Sequence, residues 1–115
     1  MTVSLRGGFQ QQDGCLLFSF TGQLDAYSDK QFLGFIEEHL TSTSQPLVID
    51  LTRIDFLDSS GLGALVQLAK QRQDQGLPFR LVGNPRIVQT VKLVRLEEFL
   101  HLQPDLNSAL GSIAA

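Results

Sequence analysis

The residues best suited to chemistry lie in one short run, Asp58-Ser59-Ser60-Gly61-Leu62-Gly63. Asp58, Ser59 and Ser60 are all types that cap helices, where a side-chain oxygen accepts from a backbone N–H that has no partner inside the helix. A serine hydroxyl placed there sits at the positive end of a helix dipole, beside unpaired amides. That setting favours added negative charge, such as a phosphate. Ser59 is therefore the candidate switch residue, with an ordinary N-cap as the competing reading and Ser60 as the neighbouring candidate. Asp58 is read as a loop acid or a competing cap. Gly61 and Gly63 would keep the first helical turn slim enough for another backbone to come close.

Other chemistries lack their residues. His39 and His101 have no histidine or cysteine at metal-ligand spacing. Ser59 is not in the G-x-S-x-G elbow of a hydrolase, and the glycines lack the lysine of a G-x-x-x-x-G-K-S/T phosphate loop. No catalysis, metal or cofactor is expected, and a nucleotide meeting this chain would belong to its partner. The minor alternative, a small serine-dependent hydrolase or phosphate-binding protein, predicts turnover or ligand binding by the isolated chain.

The elements around this run follow from hydrophobic spacing. Leu47-Val48-Ile49-Asp50-Leu51 is a nearly unbroken apolar run, as expected of a strand covered on both faces, and Thr52 to Leu57 brings the chain to the serines. Leu62, Leu65, Val66 and Ala69 fall at i, i+3, i+4 and i+7, predicting an amphipathic helix from about Ser59 to Gln75, stopped by Gly76. Upstream, Val3 and Leu5 alternate with polar residues as a short strand. Gly7 to Gly14 reads as a hairpin loop, and Cys15 to Thr21 as a second strand ending at Gly22. Asp25, or Ser28 with Gln31 at capping-box spacing, opens a helix with the stripe Phe32, Phe35, Ile36 and Leu40, and His39 near its end. These phenylalanines are core, not a cofactor pocket.

Downstream, Phe79 to Val82 is a fourth strand, and Asn84-Pro85 starts a helix with Ile87, Val91 and Val94 inward. Phe99 to Leu102 reads as a last short strand and Pro104 to about Ile113 as a last helix. This order predicts an α/β fold: a mixed, mainly parallel sheet of four to five strands with an N-terminal antiparallel hairpin, packed with about four helices. Loops at the carboxyl ends of parallel strands gather on one rim. Gly22 to Asp25 and Asp55 to Gly63 should then form one surface, with Arg53, Asp55 and Arg86 as possible borders.

Composition narrows the class. A chain of 115 residues, 43% hydrophobic and 18% charged, can bury a core, and a single domain over 1–115 with its core at about 2–112 is expected. A net charge of -3 gives no reason to expect nucleic acid or an acidic membrane as partner. Cys15, inside Cys15-Leu16-Leu17-Phe18, reads as a buried, inert thiol. There is no signal-peptide start and no apolar run near the roughly 20 residues of a membrane helix. A cytoplasmic protein, monomeric when free, is expected.

Val48-Ile49-Asp50-Leu51 followed by Phe56-Leu57-Asp58-Ser59-Ser60-Gly61-Leu62-Gly63 resembles the signature of STAS domains, and most of all the bacterial anti-sigma factor antagonists. Thr21-Gly22-Gln23-Leu24-Asp25 is similar to a second marker of that family, with Gln23 where an acidic residue is common. The resemblance implies a partner switch. The unmodified protein binds an ATP-using anti-sigma serine kinase and so frees its sigma factor. Phosphorylation of the hydroxyl residue after the motif aspartate, here Ser59 with Ser60 as runner-up, breaks the complex, and a PP2C-type phosphatase restores it. Gly22, Asp25, Asp58, Ser59, Ser60, Gly61, Leu62 and Gly63 are the implied partner-binding set. A non-sigma output (an enzyme, secretion or motility) is the alternative within this reading, and a structural module whose Ser59 is never modified is a weaker one.

Overall fold

The computed structural model describes residues 5–12, 14–40 and 44–113. Five strands, β1 (Leu5–Gln12), β2 (Cys15–Leu24), β3 (Leu47–Leu57), β4 (Phe79–Gly83) and β5 (Leu102–Gln103), form one sheet in the order of the chain. The β1–β2 pairing is antiparallel and the others are parallel, the mixed sheet expected from the order of elements. Helices α1 (Asp29–His39), α2 (Ser59–Asp74) and α3 (Pro85–Leu93) contribute to the main core on one face. The last helix, α4 (Leu106–Ile113), packs on Cys15, Leu17, Val48 and Val82 of the other.

The sheet alternation explains this division. Leu16, Phe18 and Phe20 of β2 and Leu47, Ile49 and Leu51 of β3 belong to the main core. Their neighbours Leu17 and Val48 belong to the α4 side, as side chains of period two require. Cys15 is buried on that side, as expected of an inert thiol.

β1 is longer than the spacing of Val3 and Leu5 suggests, and the stretch from Gly7 to Gln12 is strand, not loop. The reason is tertiary. A Cβ at Gly7 would stand 2.9 Å from both the Phe20 and Phe35 rings, so a glycine there lets the strand lie against the aromatic core. Phe9 then rests on Phe18 and His39, with ring centroids 4.9 and 4.8 Å away. Gln12 pairs directly with Cys15 across the hairpin. Val3 and its neighbours, and Thr41 to Thr43 of the expected linker, lie outside the described residues.

β3 is the long central strand. Its pairing with β2 shifts twice, between Ser19 and Thr21 and between Gly22 and Gln23. At the second shift Gly22 adopts φ 115°, which favours glycine. Through these bulges the pairing continues to Leu24 and Leu57, so both strands end together.

β2 and β3 run to Leu24 and Leu57, past the ends expected at Thr21 and Leu51, because their pairing continues through the bulges. Three later boundaries also differ from the sequence reading. Val94 lies beyond α3 and is 49% exposed, so Ile87 and Val91 alone make the buried face of that helix. Residues 97–101 form turns, not strand, and β5 has only Leu102 and Gln103. The fourth helix starts at Leu106 because Asp105 caps it, accepting from Ser108 N at 2.7 Å.

Candidate functional site

The parallel strands β2, β3 and β4 all end on one rim, which also receives the N-termini of α1, α2 and α3. The two polar segments flagged in the sequence meet there. Asp58 N–H donates to the Leu24 carbonyl at 3.4 Å, and the Asp58 side chain accepts from Ala26 N at 3.2 Å.

Asp58 is the N-cap of α2. One carboxylate oxygen accepts from Gly61 N at 2.9 Å, and the other takes the Ala26 amide. The same side chain thus caps one helix and clamps the loop that leads into another. Ser59 is thereby displaced from capping to the first residue of the helix, so the reading of Ser59 as an ordinary N-cap does not hold. Its side chain is exposed and, among the described residues, in no hydrogen bond, whereas Ser60 is half-buried. The amides of the first helical turn lack intrahelical partners and point outward with the positive end of the dipole.

Gly61 is fixed by the fold. A Cβ there would stand 2.2 Å from the Leu24 carbonyl oxygen and 2.8 Å from Leu57 Cδ1, so α2 approaches the end of β2 at this one point. The slimness that the sequence offers to another backbone is used inside the chain. Gly63 is different: it is exposed, and a Cβ would meet nothing within 4 Å. Leu62 is half-buried against the core. The inward face of α2 is Gly61, Ala64, Leu65, Leu68, Ala69 and Arg72; of the expected stripe Leu65 and Ala69 lie on it, while Leu62 and Val66 are half-buried at its border.

Asp25 and Ser28 form a closed turn. Asp25 Oδ1 accepts from Tyr27 N at 2.9 Å and from Ser28 Oγ at 3.2 Å, while Asp25 N donates to Ser28 Oγ at 3.0 Å. The one Ser28 hydroxyl proton is shared between that carboxylate and the Gln23 carbonyl, the nearer acceptor at 2.8 Å. Asp25 is 8% exposed and Ser28 fully buried. The capping box expected of Ser28 and Gln31 does not form, because Ser28 is spent in this turn and Gln31 Nε2 donates to the Leu5 carbonyl at 3.0 Å. What the turn displays is Tyr27, 94% exposed. Sequence reasoning passed over it, since a lone aromatic in a polar loop carries no motif.

The other rim residues are mixed in role. Asn84 caps α3 through Ile87 N at 2.9 Å and donates to the Ile54 carbonyl at 2.8 Å, joining that helix to the bulged part of β3. Arg86 donates to the Asp55 carbonyl at 3.2 Å, and Arg53 is exposed. Neither histidine comes near Ser59. His39 closes α1, roughly 15 Å along a helix that begins at the rim. His101 lines a cavity with Gly76, Leu77 and Pro78 beyond the far end of α2. Its pKa is lowered by burial and secondarily by the charge of Arg80. A serine with no base beside it is a poor nucleophile on its own. An exposed hydroxyl on a rigid helix start can instead be brought to another protein's active site.

The STAS domain model matches residues 9–109. The anti-sigma-F factor antagonist RsfA of Mycobacterium tuberculosis is 23% identical over 112 residues, covering 95% of this chain and 88% of that protein. The crystal structure of an anti-sigma factor antagonist from Mycobacterium paratuberculosis superposes with a TM-score of 0.83 at 27% identity, covering 97% of this chain and 96% of that one. The anti-sigma factor antagonist SpoIIAA in its unphosphorylated form shares the fold, with a TM-score of 0.68 at 14% identity over 87% of this chain and 90% of that one. Anti-sigma factor antagonists are regulators and not enzymes. The chain belongs to the STAS domain family and is similar, within it, to anti-sigma factor antagonists.

Proposed function

We propose that the chain is a phosphorylation-controlled partner switch acting in the cytoplasm through its single STAS domain. Unphosphorylated, it binds an anti-sigma serine kinase over the rim and displaces the sigma factor that the kinase holds. The kinase then transfers the γ-phosphoryl group of ATP to Ser59. The Ser59 oxygen forms the new P–O bond, the bond to the β-phosphate oxygen breaks, ADP leaves, and the hydroxyl proton passes to a base of the kinase. The added charge of about -1.5 to -2 ends the association, and a PP2C-type phosphatase returns the chain to its binding form by hydrolysis.

The observation that carries this reading is the separation of roles at the start of α2. Asp58 does the capping and leaves Ser59 exposed with its hydroxyl unused, so the fold does not depend on that hydroxyl. A phosphate there meets the positive end of α2, which the domain tolerates, while Asp58 beside it and a partner packed on the rim do not. Ser59→Glu is expected to weaken binding of the purified anti-sigma kinase by at least about 100-fold, near 3 kcal/mol, with the circular-dichroism spectrum unchanged. Ser59→Ala is expected to bind like the parent and to take no phosphate from the kinase and ATP. A phosphate found on Ser60 in the parent moves the site by one residue. Equal binding by Ser59→Glu and the parent overturns the switch.

A further inference from the structure

The rim holds one feature that neither the fold nor the phosphorylation chemistry requires. Tyr27 is the most exposed large hydrophobic side chain of the described residues, at 94%, yet its backbone lies in a hydrogen-bonded turn. Its own N–H donates to Asp25 Oδ1, and the residues on either side are fixed as well. Ala26 N is bound by Asp58 Oδ2, while Ser28 N and Asp29 N both donate to the Asp25 carbonyl, at 3.1 and 2.8 Å. Every polar side chain of the turn bonds inward, so the ring stands alone on a rigid support. Phe56, 47% exposed, adds apolar surface on the same rim two residues before Asp58 and pairs in register with Gln23.

An exposed tyrosine on a braced loop is an inexpensive anchor. Its ring gives a large contact area with few rotatable bonds to immobilise, and the loop's ordering entropy is already spent in folding. The tie between Ala26 and Asp58 places this ring and Ser59 each one residue from the two ends of a single hydrogen bond. A protein docked over Ser59 therefore has the Tyr27 loop beside it.

We infer that Tyr27 is the affinity anchor of the switch, inserting into an apolar socket on the anti-sigma protein, while Ser59 supplies only the control. This rests on the partner-switch reading. It divides the site into a neutral residue that sets how tightly the partner binds and a residue whose charge decides whether it binds. Central aromatic anchors of this kind carry a large share of interface energy.

The test uses the intact chain and the anti-sigma kinases of the same genome, each purified and titrated by calorimetry without ATP. Tyr27→Ala is expected to lose about 30-fold in affinity and Tyr27→Phe less than about threefold. Leu93→Ala, a truncation of a residue 75% exposed at the far end of α3, is expected to change nothing. Thermal melts of all three variants should coincide with the parent, which separates binding from folding. Tyr27→Ala binding like the parent while Ser59→Glu fails to bind overturns the anchor and leaves the switch standing. Equal losses for Tyr27→Ala and Leu93→Ala also overturn it, since they indicate diffuse apolar contact. If the unmodified parent binds none of the kinases, the switch reading fails and the anchor with it.

Discussion

Helix α2 begins at Asp58, whose two carboxylate oxygens each hold a backbone amide, and ends beside Arg72, which is 3% exposed and has an Nε without a hydrogen-bond partner among the described residues. At the rim the polar groups that the fold buries are paired, and what is left over, the Ser59 hydroxyl and the Tyr27 ring, faces outward. At the other end Arg72 donates through Nη2 to the Gln45 carbonyl, and burial lowers its pKa. It sits in the last turn of α2, where the negative end of the helix offsets part of the cost of burying a cation. The unsatisfied atom at that end is a consequence of packing. The surplus groups at the rim have no packing role. Function in this chain is therefore sought in what the fold leaves unused, not in what it leaves strained.

The largest effect expected from this contrast concerns two glycines of α2, two residues apart and different in role. Gly61→Ala drives a Cβ into the Leu24 carbonyl, and neither backbone can yield without prying α2 from the end of β2. A loss of about 3 kcal/mol is expected, with Tm lower by roughly 10 °C or more. Gly63→Ala meets no atom within 4 Å and replaces a helical glycine, so it is expected to raise stability by about 0.5–1 kcal/mol. Paired thermal melts decide the matter. If the two variants melt together, the close approach of α2 to Leu24 is wrong.

Asp58→Ala is next in size. It removes the α2 cap and leaves Ala26 N without its acceptor, for an expected loss of about 2 kcal/mol. Asp58→Asn keeps an oxygen for Gly61 N but offers only an amide nitrogen to Ala26, so it should fall between the two. Hydrogen exchange at Ala26 N and Gly61 N resolves the halves of the clamp. In Asp58→Asn only Ala26 should exchange faster.

What the sequence made legible is what is local. The cap of Asn84, a cap for α2 somewhere among Asp58, Ser59 and Ser60, and the stop at Gly76, with φ 69°, follow from side-chain chemistry within a few residues. The pairing of the two rim segments followed from the rule for parallel strands. Illegible were the features set across the chain. Gly7 and Gly8 look like a loop until Phe20 and Phe35 are placed above Gly7. The face of α2 is set by Gly61 against Leu24, and a count of leucines puts it too close to Leu62. Tyr27 is visible only once Asp25 and Ser28 are known to fold inward.

The smallest expected effect belongs to the end of the molecule away from the rim. His101 holds φ 49°, and its carbonyl accepts from Leu81 N at 3.3 Å, so its backbone serves β4 whatever its ring does. Burial and then Arg80 push the ring's pKa below 6.5. The unfolded chain therefore takes up this proton first as pH falls, and stability drops from about pH 6.5 down to the folded-state pKa, below which the loss is complete. Above pH 6.5 both states are neutral and the ring contributes nothing to the dependence. Asparagine suits the left-handed backbone and does not titrate. His101→Asn should thus match or slightly exceed the parent's Tm at pH 8 and lose less of it by pH 5, with binding of the proposed anti-sigma partner unchanged at either pH. Parallel Tm curves for the two proteins would mean that the ring is fully solvated. A change in binding would mean that the two ends of α2 communicate, which the clamped geometry at Asp58 argues against.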